Sequence, residues 1–196
     1  MRLIMGKIAP ILAAAAAGAV AALARGVRQP GPPLPGDRLV HRATTIRTIS
    51  AVMPGAPEQV WPWLAQMGAG RGGWYGFDLI DNGGMPSATE IVPELQRLAP
   101  GDVMEASTFG GPPFIATQVD EPRVLVTTLR ARRGWMRASY AYVLAPVDGG
   151  TLLTTRLRMG GRPGIVALLL APMMLASHEV AQRVQLARLR RRVSAR

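Results

Sequence analysis

The stretch PEQVWPWLAQMGAGRGGWYGFDLIDN, Pro57 to Asn82, decides how this chain is read. Trp61, Trp63, Trp74, Tyr75 and Phe77 fall inside it and make up half of all the aromatic residues. A glycine-rich break, Gly68-Ala-Gly-Arg-Gly-Gly73, separates the two aromatic groups. Aromatic side chains bring large buried area with few rotors, so such a concentration builds a core corner or the wall of a pocket. Pro57 suits the first position of a helix, and Glu58 beside it suits the positive helix end. Trp61, Leu64 and Ala65 then share one face at helical spacing, and Pro62 is tolerated because it falls in the first turns. The glycine break ends that helix. Trp74 to Ile80 is predicted as a second short helix.

Working outward, the β-branched run Thr44 to Val52 reads as a strand before this stretch. After it, Ile91 to Leu98 reads as a turn of helix or an extended lead-in. Strands are then predicted over Asp102–Ala106, Phe114–Asp120, Arg123–Arg130, Tyr140–Ala145 and Thr151–Met159. Val147-Asp-Gly-Gly150 has the composition of a hairpin turn between the last two. The final strand alternates Leu153, Thr155, Leu157 and Met159 with Thr154, Arg156 and Arg158, which predicts one buried side and one wet side. Gly164 to roughly Arg192 reads as a long helix, interrupted near Pro172. Its first half is apolar nearly all round and too short to span a bilayer, which suits a buried core helix. Its second half is amphipathic, with Val180 and Val184 on one side. A sheet curling around the last helix is the economical way to bury this order of elements.

At 196 residues and 48% apolar, the chain is sized for one globular domain and an appendage. It has no cysteine, which excludes disulfides, thiolate zinc sites and a cysteine nucleophile. The formal charge of +11 favours anionic surfaces. No helix-turn-helix, zinc finger or aromatic-basic strand motif occurs, so the balance points to a membrane surface rather than nucleic acid.

Residues 1–24 form a separate unit. Arg2 and Lys7 precede an apolar run from Ile8 to Ala24, about the shortest length that crosses a bilayer as a helix. Three readings stand open: an uncleaved single-pass anchor, a secretory signal cleaved near Ala24, or a peripheral helix. Arginines after the run favour the anchor through the positive-inside rule. Residues 25–39 contain Gln29-Pro-Gly-Pro-Pro-Leu-Pro-Gly36, a semi-rigid spacer by composition. The folded domain is expected over 40–196.

Val60-Trp-Pro-Trp-Leu-Ala-Gln-Met-Gly68, Gly73-Trp-Tyr-Gly-Phe-Asp78, Val92-Pro-Glu-Leu-Gln96, Gly101-Asp-Val-Met104 and Thr155-Arg-Leu-Arg158 together resemble the SRPBCC superfamily. These are START-like, Bet v 1-like helix-grip proteins, and the resemblance is to a bacterial branch related to the polyketide cyclase/dehydrase group. It covers roughly Thr44 to Arg192. It implies an α+β fold in which a curved antiparallel sheet wraps a long C-terminal helix, with two short helices after the first strand. It also implies a cavity between helix and sheet for an apolar small molecule or lipid, used for binding, or for a cyclase or aromatase reaction resting on a few acid/base groups.

Several side chains are candidates for that cavity. Trp74 and Tyr75 either form its wall or pin the second helix to the core. Trp61 and Trp63 read as core of the first helix, with one nearer the rim. Phe77 belongs to the same aromatic group. Tyr140 and Tyr142 share a strand face with Leu144, which either lines the cavity or lies outside. Asp78, Asp81 and Glu94 are the nearby carboxylates. Beside apolar walls any of the three would serve as acid or base, Asp78 and Glu94 being the candidates for a catalytic role; otherwise they cap helices or pair with Arg71 or Arg97. His41 and His178 are the only histidines, and no metal-ligand spacing or cofactor-binding fingerprint occurs. His178 beside Glu179 reads as a surface or seam pair, with ligand contact as the lesser alternative. The arginines from Arg183 to Arg196 either complement the helix dipole in solvent or attract anionic lipid.

Overall fold

The computed structural model describes residues 31–131, 134–161 and 165–194, with Ile165–Ser177 described as helix backbone alone. The apolar run at 8–24 lies outside the described residues. So do the side chains of the apolar first half of the last helix.

Six antiparallel strands form one sheet: β1 Thr45–Met53, β2 Val103–Met104, β3 Phe114–Asp120, β4 Val124–Arg130, β5 Arg137–Val147 and β6 Gly150–Gly160. Their order is β1-β6-β5-β4-β3-β2. Between β1 and β2 come helix α1, Pro57–Ala65, a single turn α2, Asp78–Asp81, and a 3-10 turn, Pro93–Leu95. Helix α3, Ile165–Ser194, follows β6. This is a helix-grip α+β architecture. The predicted second helix over Trp74–Ile80 is corrected to the one turn α2. Tyr75 holds a left-handed φ of 57° and interrupts helical geometry before Asp78.

Strand parity assigns the faces. Leu125, Tyr140, Tyr142, Leu144, Leu153 and Leu157 point inward and share one apolar core with Trp61, Trp63 and Leu64 of α1 and Leu186, Leu189 and Val193 of α3. On α3 the inner stripe is therefore not the Val180/Val184 side expected from the sequence. Val180 is 53% exposed, whereas Gln182, Gln185, Leu186 and Leu189 are buried.

Part of the outer face of the sheet is also covered, which corrects the reading of Arg156 as wet. Pro32 to Val40 lies across it, ending in a 3-10 turn over Asp37–Val40. Val124, Val126 and Ala141 form a small second core on that face. A Cβ on Gly36, at φ 83°, would sit 2.7 Å from the Val126 side chain, so only glycine lets the backbone approach this closely. Arg156 is 2% exposed. Its guanidinium donates to the Asp37 carboxylate at 2.8 Å, to the Pro32 carbonyl at 3.0 Å and to the Thr48 hydroxyl at 3.0 Å. A cation with this little water is tolerated only when paired and hydrogen-bonded.

Removing the carboxylate should show this dependence. Asp37→Ala is expected to lower unfolding stability by about 3 kcal/mol in urea titrations, while replacing Asp37 and Arg156 together by leucine and methionine should cost less than the single change.

Candidate functional site

The site begins at the end of α1. Gln66 is fully buried. Its side-chain amide donates to the Tyr75 hydroxyl at 2.9 Å and to the Glu90 carbonyl at 3.1 Å. Its amide oxygen accepts from the Val92 N–H at 2.9 Å and from the Gln96 amide at 3.2 Å. Every hydrogen-bonding position of the group is filled. Gly72 N–H returns to the Gln66 carbonyl at 2.8 Å, and Gly68 and Gly73 bridge each other. At Gly73, φ is 78° and a Cβ would lie 2.3 Å from the Ser87 hydroxyl, so the glycine-rich break is a tight, packed turn.

This turn sends Trp74 and Tyr75 to opposite sides. Tyr75 goes into the core. It meets Trp63 edge-on at 6.1 Å and lies under the Arg192 guanidinium at 4.9 Å. Burial pushes its hydroxyl up to about 12, partly offset by the Gln66 hydrogen bond and by Arg192. Trp74 goes the other way. Its indole N–H donates to the Glu105 carbonyl at 2.9 Å, and its ring meets Phe114 edge-on at 5.3 Å.

Trp74 and Phe114 form the apolar wall of a cavity of about 150 Å³ between sheet and α3, lined also by Thr127, Tyr140, Tyr142, His178, Gln182 and Gln185, with Asp81 among its lining groups. The wall opposite the indole is polar. The Tyr140 hydroxyl donates to the Gln182 amide oxygen and lies 3.5 Å from His178 Nε2. The Gln182 amide donates to Gln185 at 2.9 Å, and Gln185 donates in turn to the Trp74 carbonyl at 2.7 Å. The Tyr142 hydroxyl is hydrogen-bonded to Gln185. The two tyrosine rings stack at 4.9 Å.

Burial sets the charge state of this lining. It raises both tyrosine hydroxyls well above their usual range. It lowers His178 to about 4, with Arg47 pushing the same way and Glu179 opposing. Asp81 is raised, chiefly by burial, against the Phe77 N–H that donates to it at 2.8 Å. At neutral pH the helix face turned to the cavity is therefore an uncharged set of donors and acceptors.

The other candidates lie elsewhere. Trp61 is 2% exposed in the core, and Phe77 is 38% exposed at the surface. Asp78 accepts from the Ser87 hydroxyl at 2.5 Å and pairs with Arg188 at 3.4 Å. Glu94 is exposed on the Pro93–Leu95 turn. Arg188 also donates to the Gly76 carbonyl, and Arg192 donates to the Ala88 carbonyl at 2.7 Å and the Ser87 carbonyl at 3.3 Å. Two of the C-terminal arginines thus hold the loops that carry Trp74 and α2. Gln182 and Gln185 were missed as site residues, whereas ligand contact was the lesser reading for His178. The spacing of four and three along His178, Gln182 and Gln185 was the available signal, because it puts them on one helix face.

Among the described residues, no group of three or more histidines and carboxylates could hold a metal ion, and no helix is long and apolar enough to cross a membrane. No family model and no curated protein matches the chain. Solved structures do. The di-domain ARO/CYC StfQ from the steffimycin biosynthetic pathway shares 13% identity at a TM-score of 0.51, over 76% of this chain and 50% of that one. Protein MLL2253 from Mesorhizobium loti shares 15% identity at 0.45, over 76% and 97%. DynU16, a putative protein in the dynemicin biosynthetic locus, shares 16% at 0.45, over 76% and 47%. The StfQ match shows the fold. It is a helix-grip fold, consistent with the SRPBCC resemblance. This chain spans half the length of StfQ.

His178 gives the site a pH signature. A histidine lowered in the folded state leaves that state with fewer bound protons than the unfolded chain between the two values. Stability is present above about 6.5 and is lost as pH falls toward 4. The loss reaches about 3 kcal/mol at its fullest. His178→Gln is expected to flatten this part of the profile, read as urea midpoints of both proteins between neutral pH and the acid limb.

Proposed function

We propose that this domain binds a compact aromatic or cyclic molecule bearing a polar group. Its ring would lie against Trp74 and Phe114, and its polar group would meet the Tyr140–Gln182–Gln185 chain. One observation carries the reading. A helix face that could have been apolar core instead presents hydrogen-bonding groups to a cavity whose other wall is aromatic. Pockets of this build orient a ligand by a few polar contacts and hold it by apolar area. The described cavity, about 150 Å³, suits the small cyclic members of the ligand range expected from sequence.

The uncharged α3 face supports binding of a neutral group in preference to acid/base chemistry. A second reading, a cyclase-like reaction, is favoured by one feature: Asp81 lines the cavity with its carboxyl raised by burial. StfQ, which shares the fold, is titled an ARO/CYC protein. On that reading Asp81→Asn abolishes turnover of a poly-β-ketone mimic and leaves binding intact.

The binding proposal is tested with 2-naphthol and naphthalene, followed by quenching of tryptophan fluorescence and by calorimetry. The domain should prefer 2-naphthol. Trp74→Ala should weaken both probes several-fold. Tyr140→Phe should lower the preference for the hydroxylated probe by roughly tenfold, the scale of one lost buried hydrogen bond. Equal affinity for the two probes, unaltered by either substitution, would sink the assignment.

A further inference from the structure

We propose that the end of the sheet where β4 turns into β5 docks on an anionic phospholipid surface. The pairing register defines that end. Thr45 lies opposite Met159, Arg137 opposite both Gly160 and Arg130, and Phe114 opposite Leu129. The β2–β3 loop enters β3 here, and its Ser107 hydroxyl donates to the Ile80 carbonyl at 3.0 Å, which brings α2 to the same end. Helix α3 also starts here, four residues after Gly161, and Ile165–Ala176 is an uninterrupted apolar sequence.

Two loops and the turn α2 at this end of the sheet hold large apolar side chains in water. Phe109 is 76% exposed, Leu79 75%, Ile80 64% and Trp135 39%. Scattered single apolar residues are ordinary on a surface, but several gathered at one end of a fold mark a contact site. At the same end an open basin of about 580 Å³ is lined by His41, Arg42, Arg130 and Arg137 and, among the described residues, by no carboxylate. The carboxylates on the apolar loops are largely engaged inward. Asp78 pairs with Ser87 and Arg188, and Asp81 accepts from the Phe77 N–H; Glu105 is exposed.

Indole and aliphatic tips next to arginines match the layered chemistry of a bilayer surface, with the apolar groups at the headgroup–acyl boundary and the guanidinium groups on phosphate. A second copy of the chain fits less well. It would set one arginine-lined basin against another in a protein of formal charge +11. The proposal is independent of what the cavity binds.

The chain has no cysteine, so single labels can be placed cleanly. Full-length Phe109→Cys and Trp135→Cys proteins, each carrying the polarity-sensitive fluorophore NBD, are mixed with vesicles of phosphatidylcholine and phosphatidylglycerol in equal parts. Asp148→Cys, in the turn between β5 and β6 at the opposite end, is the control, and circular dichroism checks the fold of each. Emission at 109 and 135 should shift to the blue and become shielded from iodide, while the label at 148 stays in water. Arg130→Glu with Arg137→Glu should raise the lipid concentration needed for the shift at least about tenfold. Labels at 109 and 135 that stay in water, with or without sedimentation of the protein on the vesicles, would overturn the proposal. So would an equal shift on pure phosphatidylcholine. A shift that appears without lipid as protein concentration rises would assign the patch to a second copy instead.

Discussion

The side-chain amide of Gln66 is the constraint on which the site depends. It sits where α1 ends, and four groups from three segments meet on it: Tyr75, Glu90, Val92 and Gln96. None of these segments has regular structure long enough to hold itself in place. A buried amide satisfied on all sides fixes them together, because unpairing any one partner leaves a polar group without water. The position of Trp74 follows. With Tyr75 tied inward by Gln66 and by the Ser87 hydroxyl, the neighbouring indole can only face β3 and α3. The glycines at 72 and 73 permit the turn, and the four hydrogen bonds of the amide hold it.

The two faces of the sheet solve different problems. The middle of the outer face is covered by Pro32–Val40, and the Arg156–Asp37 pair is enclosed and hydrogen-bonded there. The inner face is closed by α1 and the second half of α3. Where Leu186, Leu189 and Val193 face it, the interior is ordinary apolar core. Where His178, Gln182 and Gln185 face it, amides and hydroxyls bond one another and a hollow remains. A change of residue type along one helix face therefore divides structure from site. The arginines further along α3 stabilise the arrangement by gripping the carbonyls of Gly76, Ser87 and Ala88 from outside.

Fold likeness alone does not settle what such a hollow is for, since one architecture hosts binding and catalysis alike. The local chemistry is more informative. Burial keeps the tyrosine hydroxyls protonated and His178 neutral, so the wall made by β5 and α3 presents hydrogen-bonding groups rather than charge. The charge of the molecule is concentrated instead at its surface, and the basic basin beside β4 and β5 shares an end of the sheet with the exposed apolar tips.

Alternation in β6, the β-branched run of β1, the proline-opened α1 and the long final helix were all legible in the amino-acid sequence. Each is a local pattern with a period set by backbone geometry. Of the aromatic residues singled out there, Trp74, Tyr140 and Tyr142 line the cavity. The rest was not legible, for a common reason. A polar residue looks solvent-exposed until the fold shows what covers it. Gln66, Arg156, Gln182 and Gln185 are polar and buried. Val180, by contrast, is apolar and exposed. Local periodicity determines which side chains share a face. Only tertiary packing decides which face is inside, because that depends on contacts between segments distant in the chain, such as Pro32 with Arg156 and Trp74 with Gln185.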